Sequence, residues 1–328
     1  MSKINFTESL LRVIISLTGL PFTGIQAALS RYLLYKYKAP GEKISVGSHH
    51  LHAMVTGSNT SNLPTILLEA GMGGCALDWS LVQPALAKHT KVLSYDRAGF
   101  GWSTTPISEP TCEGYVRDLR ELLTQLELEP PYILVGHSYG GMIMRLFASK
   151  YPEEVSGIIL VDSTHEQRFI ESTFNQIRYE ERLRHLRRLR MGYLLSPIGL
   201  PRLLKQPIGA KRLPPPVQHT VNTLGYRNNA YKAAYLESLC TIESALQLIE
   251  SEPLAPELPI IVLSAGRQNE DWQQAQKKLL QLTAKTRQIV IEDSWHSIQL
   301  YKPQAVVDSV LSLLRDNHRN QTDKQASI

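Results

Sequence analysis

The chain has 328 residues, of which 43% are hydrophobic and 20% charged, an ordinary balance for one large globular domain with an inserted subdomain. Its three cysteines, Cys75, Cys112 and Cys240, have neither paired nor metal-type spacing. This excludes a disulfide framework, indicates a reducing compartment and predicts a cytoplasmic location.

The first 40 residues predict an apolar, amphipathic helical segment. Residues 10–29 are mostly apolar, but Arg12 and Pro21 interrupt them, so they fit neither a secretory signal nor a spanning helix. Residues 31–38 mix tyrosines with cations, as at a membrane interface. We predict a helix packed on the domain or over its site; the alternative is peripheral contact with a membrane surface, made together with the basic insertion at residues 165–253.

Short apolar runs then alternate with helical patterns at the spacing of βαβ units. This alternation predicts an α/β fold with a mostly parallel, doubly wound sheet. The predicted helices of this part include one over residues 78–87. The eight predicted strands cover residues 43–46, 50–55, 65–70, 92–95, 132–135, 157–161, 260–263 and 289–291.

The alternation stops after the sixth strand, where residues 165–253 form a helical, arginine-rich insertion. Residues 168–212 carry eleven Lys or Arg against three Glu, a net charge of +8, whereas the whole chain has +5 and its remainder is therefore slightly acidic. We predict a helical lid over the strand ends, where ligands bind in such sheets. The α/β core is then residues 41–164 and 254–317, and the polar tail at 318–328 is predicted to be disordered.

Residues 132–141 contain the most informative motif. A strand-like run leads into Gly136-His137-Ser138-Tyr139-Gly140, and a helical run follows at once. This is the strand, turn and helix context of a G-x-S-x-G nucleophile elbow. The glycines lack the Cβ atoms that would clash in the turn. We therefore predict that Ser138 is a nucleophile at the carboxyl edge of the sheet.

A serine nucleophile needs a base, and the base needs an orienting acid. His296 follows the last predicted strand and is our candidate base. Two positions fit the order serine, acid, histidine: Asp162, at the tip of the sixth strand, and Glu270 or Asp271, in the loop after the seventh. We favour Asp162 because a strand tip holds a carboxylate rigidly; Asp271 is the alternative.

The negative oxygen of a tetrahedral intermediate needs two backbone donors. The Tyr139 N–H, directly after the nucleophile, is the first candidate. The second is the Met72 N–H in the glycine loop after the third strand, where flanking glycines let a substrate approach. We predict no cofactor, and no metal at the histidine cluster His49, His50 and His52, because strand alternation separates these side chains.

Together these segments resemble the α/β-hydrolase superfamily over residues 44–317, in its serine-nucleophile, fold-1 form. The resemblance rests on residues 68–74, 94–101, 136–141 and 295–296. Many relatives have His-Gly where this chain has Ala70-Gly71, and Asp where it has Asn269. The second departure favours Asp162, because some members carry the acid after the sixth strand. Haloalkane dehalogenases and epoxide hydrolases of this fold use an aspartate nucleophile, so Ser138 argues against both.

The function predicted from these residues is hydrolysis of a carboxylic ester or similar acyl bond in a small molecule. Peptidase, thioesterase, lactonase and cofactor-free peroxidase activities on the same fold remain open, as does a non-catalytic ligand-binding protein. No motif indicates a nucleic-acid partner.

Overall fold

The computed structural model describes residues 4–58, 63–104, 110–170, 176–209 and 211–326. Its central element is one eight-stranded sheet in the order β1-β2-β4-β3-β5-β6-β7-β8. The strands are β1 (Glu42–Val46), β2 (His49–Thr56), β3 (Thr65–Glu69), β4 (Val92–Asp96), β5 (Tyr132–His137), β6 (Val155–Val161), β7 (Ile260–Ala265) and β8 (Thr286–Ile291). β2 pairs antiparallel with β1 and β4, and all other pairs are parallel. The predicted α/β class with a mostly parallel sheet is confirmed.

Helices surround the sheet, and several form an insertion between β6 and β7. They are α1 (Phe6–Thr18), α2 (Leu20–Lys36), α3 (Gln83–Leu86), α4 (Cys112–Gln125), α5 (Tyr139–Lys150), α6 (Gln176–Leu195), α7 (Leu200–Leu203), α8 (Pro215–Gly225), α9 (Asn228–Leu239), α10 (Thr241–Ile249), α11 (Glu270–Lys278), α12 (Ile298–Tyr301) and α13 (Pro303–Ala326).

The central strands are buried on both faces, which explains their continuous apolar sequences. Successive residues of β5 point to opposite faces: Leu134 joins a core with α4 and α5, whereas Ile133 and Val135 join a core with α3 and α13. The sheet is therefore covered by helices on both sides, as a doubly wound fold requires.

The side of the sheet on which the chain adds strands changes between β4 and β5, on either side of β3. From β3 the chain adds β4 on one side, and it then crosses to the other side of β3 and adds β5, β6, β7 and β8 outward. Glu69, the last residue of β3, is in register with Gly136 near the end of β5. Ligands bind at such switch points, beyond the carboxyl ends of the strands. The glycine loop after β3 and the turn after β5 both lie there.

The insertion begins with a 3₁₀ turn at Glu166–Phe169 and contains α6 to α10. It has its own core, in which residues of α6 and α9 pack together. α1 packs against α6, and α2 contacts α8. α1 and α2 bend by 94° relative to each other, at Gly19. No described helix has, by itself, the length and apolar character needed to cross a membrane.

Two segments differ from the predictions. The helix expected over 78–87 is a 3₁₀ turn at Ala76–Trp79 followed by the short α3, because Pro84 begins a new helix and cannot continue one. The tail expected to be disordered from 318 continues as helix α13 to Ala326. No proline or glycine follows Pro303, so nothing in the sequence stops the helix.

Candidate active site

Ser138 lies in the tight turn between β5 and α5. Its backbone has φ 51° and ψ −120°, a region that non-glycine residues avoid. Its N–H donates to the Val161 carbonyl (3.1 Å), and its own carbonyl accepts from the Thr164 N–H (3.0 Å). A Cβ added to Gly140 would lie 2.6 Å from the Ala70 carbonyl oxygen. The turn therefore requires glycine there, and hydrogen bonds hold the serine in its strained conformation.

The structure brings Ser138, His296 and Asp162 into one hydrogen-bonded chain, although they are separated by up to 158 residues. The distance from Ser138 Oγ to His296 Nε2 is 3.0 Å, and from His296 Nδ1 to Asp162 Oδ2 it is 2.7 Å. Both distances are within hydrogen-bond reach. Thr164 Oγ1 lies 3.4 Å from Ser138 Oγ, a neighbour that the sequence analysis did not identify.

Asp162 is fully buried directly after β6. Its Oδ1 accepts from the Ala265 N–H (3.0 Å), and its Oδ2 accepts from the Gln268 side-chain amide (3.1 Å). Ala265 is the last residue of the neighbouring strand β7, and Gln268 comes shortly after it. Neither donor was predicted from the sequence. The only signal in the sequence was their position directly after the seventh predicted strand, at 260–263. These bonds fix the carboxylate that faces His296.

The alternative acid, Asp271, has other partners. It forms ion pairs with Arg168 and Arg178 of the insertion; the Arg178 Nε lies 2.9 Å from its Oδ2. Hydrogen bonding to Arg178, followed by that to Arg168, lowers the pKa of Asp271. Glu270 is exposed at the start of α11. In this structure neither carboxylate has a hydrogen bond to His296.

His296 is held between two aromatic rings. The His137 ring centroid lies 4.8 Å away, and Trp272 approaches edge-on at 4.9 Å. His137 Nε2 lies 3.2 Å from the His296 carbonyl oxygen. Burial, reinforced by the nearby His296, lowers the pKa of His137 well below its ordinary value. His137 is therefore neutral, and its Nε2–H can donate to that carbonyl without placing a charge beside His296.

Both candidate oxyanion donors lie at the wall of the same cavity as Ser138. Met72 and Tyr139 line this cavity together with Ser138 and His296. Tyr139 is the first residue of α5, so its N–H has no partner within that helix. The helix dipole at this end also favours negative charge.

A buried ion network positions the glycine loop. Arg97 donates to the Ala70 and Gly71 carbonyls (2.7 Å each) and forms ion pairs with Glu69 and Glu237. Burial opposes its charge, but the carboxylates outweigh that effect and raise the pKa of Arg97. Glu237, on α9, also accepts from the Gly73 N–H (2.9 Å). The network joins the insertion to the loop that contains Met72.

A cavity of about 360 Å³ opens above Ser138 and fits a small-molecule ligand. The core contributes Met72, Ser138, Tyr139, Thr164, Trp272 and His296, and the insertion contributes Arg168, Phe169, Arg178, Glu181, Arg182, His185, Ser238 and Thr241. The insertion therefore forms much of the wall, and this wall is rich in cations.

The histidine cluster of β2 is used structurally. His49 pairs with Asp118 (2.9 Å) and His52 with Asp96 (2.8 Å), whereas His50 is exposed. Within the described ranges, no three His, Cys, Asp or Glu side chains come together in a way that could hold a metal ion.

A mostly parallel sheet whose fifth strand ends at a serine in a strained strand-to-helix turn is the architecture of an α/β-hydrolase. A family model described as "alpha/beta hydrolase fold" matches residues 64–303, and the chain belongs to this family. The expected resemblance is confirmed.

Curated proteins and solved structures are similar to parts or most of this chain. A protein of Schizosaccharomyces pombe is 29% identical over 226 residues, which is 67% of this chain and 40% of that protein. The chain spans less than half the length of this and three other curated relatives. The epoxide hydrolase CorEH superposes with a TM-score of 0.69 at 17% identity, over 84% of this chain and 98% of that chain. A thermophilic esterase from Thermogutta terrifontis gives 0.59 at 19% identity, over 84% and 99%.

Proposed function

We propose that this protein is a serine hydrolase that cleaves a carboxylic ester or a similar acyl bond of a small molecule through an acyl-enzyme. The observation that carries the proposal is the hydrogen-bonded chain of 3.0 Å and 2.7 Å from Ser138 through His296 to Asp162. It provides a nucleophile, a base in contact with that nucleophile, and an acid that orients the base.

In the proposed reaction, Ser138 Oγ attacks the acyl carbon while His296 Nε2 accepts the hydroxyl proton. Asp162 holds the Nδ1–H and stabilises the imidazolium that forms. His296 then donates its proton to the leaving alcohol, and the acyl-enzyme remains on Ser138. Water, deprotonated by His296, attacks the same carbon and releases the acid.

The developing oxyanion would be bound by the backbone N–H groups of Met72 and Tyr139. Removing one such donor typically costs about 10²–10³ in kcat. Here the Met72 donor depends on a loop that Arg97 holds by two of its carbonyls. The loop has Ala70-Gly71 where many relatives have His-Gly, and the Arg97 network supplies an alternative support.

The nucleophile separates this proposal from other activities of the fold. Epoxide hydrolases and dehalogenases use an aspartate at the elbow, whereas this chain has Ser138. A serine attacks an acyl carbon and leaves an ester that water hydrolyses. The esterase from Thermogutta terrifontis has the same fold, and cleavage of an ester agrees with a serine nucleophile.

A fluorophosphonate probe tests the proposal directly. We expect the wild type to be labelled and Ser138→Ala to be unlabelled, with a loss of esterase turnover of at least roughly 10³-fold. Ser149→Ala, on the same helix α5, is the control and should be labelled as strongly as the wild type. Wild type that is not labelled, or Ser138→Ala that is labelled equally, would refute the hydrolase and leave a ligand-binding protein.

A substrate panel then distinguishes the acyl bonds. Wild type and Ser138→Ala are compared on esters, thioesters, lactones and aminoacyl amides, with product release as the measurement. We expect the largest Ser138-dependent rate on an ester. A larger Ser138-dependent rate on a thioester, lactone or amide would replace the ester assignment.

A further inference from the structure

The two N-terminal helices turn polar side chains toward the rest of the protein and most of their large apolar side chains toward the outside. Glu8 is the buried residue of α1, and Gln26 is the buried residue of α2. By contrast, twelve of the twenty-three exposed large apolar side chains in the described part of the protein lie on these two helices. A helix that packs on a core buries its apolar stripe, and here the apolar side faces outward.

Polar contacts attach the inner faces of both helices to the insertion. Glu8 accepts from the Tyr235 hydroxyl (3.0 Å) and pairs with Arg190 (2.6 Å). Gln26 donates to the Tyr226 carbonyl (2.9 Å) and accepts from Arg202 (2.9 Å). Since these specific bonds orient the helices, the outward direction of the apolar side chains is built into the fold.

The outward side chains form continuous stripes. On α1 they include Phe6, Leu10 and Leu17, and on α2 Phe22 and Ile25, all at spacings that share a helix face. Leu203, in α7, is also exposed, and the residue before it, Arg202, bonds to Gln26 and Ser30 of α2. We call this surface, formed by the outward side chains of α1, α2 and α7, the apolar face.

Cations accompany the apolar face. Arg31, Lys36 and Lys38 are exposed in the second half of α2 and directly after it, and the adjoining insertion has the excess of cations described above. Arg12 does not contribute, because it points inward and donates to the Tyr193 carbonyl. An apolar helix face with surrounding Lys and Arg binds an anionic lipid surface through both burial and charge. A second copy of this chain would bring like charges together around the contact. The charge pattern therefore favours lipid over self-association.

We propose that α1 and α2 form an interfacial membrane-binding site, with the apolar face inserted at the headgroup boundary of an anionic bilayer. The two helices meet at 94°, so they lie together in one plane as an L. Among the described helices, only the bent pair of α1 and α2 together has the length and apolar composition of a membrane span, which favours lying on the surface over crossing it.

Liposome flotation of the full chain tests this site without reference to catalysis. The probes are phosphatidylcholine vesicles with and without phosphatidylserine. The test variant is Leu17→Ser with Ile25→Ser, and the control is Leu246→Ser with Ile249→Ser, which removes exposed apolar side chains from α10. We expect wild type and control to bind phosphatidylserine vesicles, salt to weaken that binding, and the test variant to lose roughly tenfold or more in affinity.

Several results would overturn the proposal. They are no vesicle binding by the wild type, equal binding by test and control variants, or resistance to alkaline carbonate extraction, which indicates a spanning segment. A dimer in light scattering that the test variant abolishes, without vesicle binding, would assign the apolar face to a second copy. Brominated-lipid quenching of Phe22→Trp, but not of Val55→Trp, checks insertion without removing an apolar side chain; equal quenching would contradict it.

Discussion

Ser138 and Asp162 share an uncommon backbone conformation, with φ of 51° and 41°. Such residues cost of order 1–3 kcal/mol each and persist where the surrounding structure holds them. Here the parallel sheet does so, because the Ser138 N–H donates to Val161 and the Asp162 N–H donates to Leu263 (2.7 Å). The strain therefore lies at adjacent strand ends, where the proposed nucleophile and acid need fixed positions.

Asp162→Asn tests the acid. Asparagine keeps the size of the side chain but removes the carboxylate that orients His296 Nδ1–H, so we expect kcat on a nitrophenyl ester to fall roughly 10³–10⁴-fold. KM should change little, because Asp162 is buried beneath His296 and does not line the cavity. Steady-state kinetics measure both.

Asp271→Asn is the matched control for that experiment. Its carboxylate pairs with Arg168 and Arg178, so its loss should leave kcat within a few-fold of wild type. If Asp271→Asn abolishes turnover while Asp162→Asn keeps it, the assignment of the acid is reversed.

Local pattern and chain order were sufficient to nominate Ser138, His296 and Asp162, because each follows a strand whose apolar run is easy to recognise. The other residues that hydrogen-bond to Ser138 and Asp162 and hold them in place could not be predicted from the sequence. Gln268 is 106 positions from Asp162, and Thr164 contacts Ser138 only after the turn is folded. Such partners depend on strand adjacency, which no short-range pattern gives.

At the scale of elements, Arg97 connects three parts of the fold: the loop after β3, the end of β4 and α9 of the insertion. Replacing Arg97 with Met would leave Glu69 and Glu237 buried without their counter-charge. We expect a loss of roughly 3–5 kcal/mol in the free energy of unfolding, measured by urea denaturation.

Arg120→Met is the control for the loss of unfolding free energy expected in Arg97→Met. Arg120 pairs with Glu154 near the surface, where its side chain is 37% exposed, so the cost should be below about 1 kcal/mol. Similar losses in both variants would contradict the role of the buried network.

The arginines of the insertion that line the cavity lead us to expect a preference for a negatively charged substrate. Arg182 lines the cavity and bonds to Thr241 (3.1 Å), and Arg168 and Arg178 are nearby. We expect an ester of a dicarboxylic half-acid to have a lower KM than its neutral methyl ester, and Arg182→Gln to reduce that preference several-fold. Arg184→Gln, on the exposed side of α6, should retain it. Equal KM values for the two esters in the wild type would reject the prediction.

Most strands were predictable within three residues of their ends, since a buried parallel strand has a continuous apolar sequence. Short helices, and helices whose apolar side faces outward, could not be predicted in the same way. The helix expected from residue 78 begins only at Gln83, and the inward placement of Glu8 and Gln26 follows from partners in α6, α7, α8 and α9. A helix pattern shows that a face is apolar, but the direction of that face depends on the neighbours.

At the scale of the whole molecule, α6 connects the proposed catalytic and membrane-binding sites. Its first half lines the cavity through Arg178, Glu181, Arg182 and His185. Its second half packs on α9, and Arg190 pairs with Glu8 of α1. A bilayer held by the apolar face would therefore adjoin the same helix that forms the cavity wall.

Acid sensitivity of the whole fold follows from its buried histidines. Burial lowers the pKa of His165 to about 4, with Arg145 and Lys278 adding to the effect and Glu166 opposing it. The His165 Nδ1 accepts from the Gln167 N–H (3.2 Å), which requires the neutral ring. The unfolded chain has a histidine pKa of about 6.5 and takes up a proton first, so we expect the free energy of unfolding to fall as pH decreases from about 6.5 toward 4. The low pKa of His137 acts in the same direction.

His165→Asn should reduce this acid loss, because Asn keeps an acceptor for the Gln167 N–H but does not titrate. Urea unfolding from about pH 8 to about pH 5 should give a constant difference between wild type and variant above pH 7, and a relative gain for the variant below about pH 6.5. The exposed His50→Asn controls for removing a histidine and should follow the wild type. If His165→Asn and wild type lose stability in parallel below pH 6.5, His165 is not a source of the acid sensitivity.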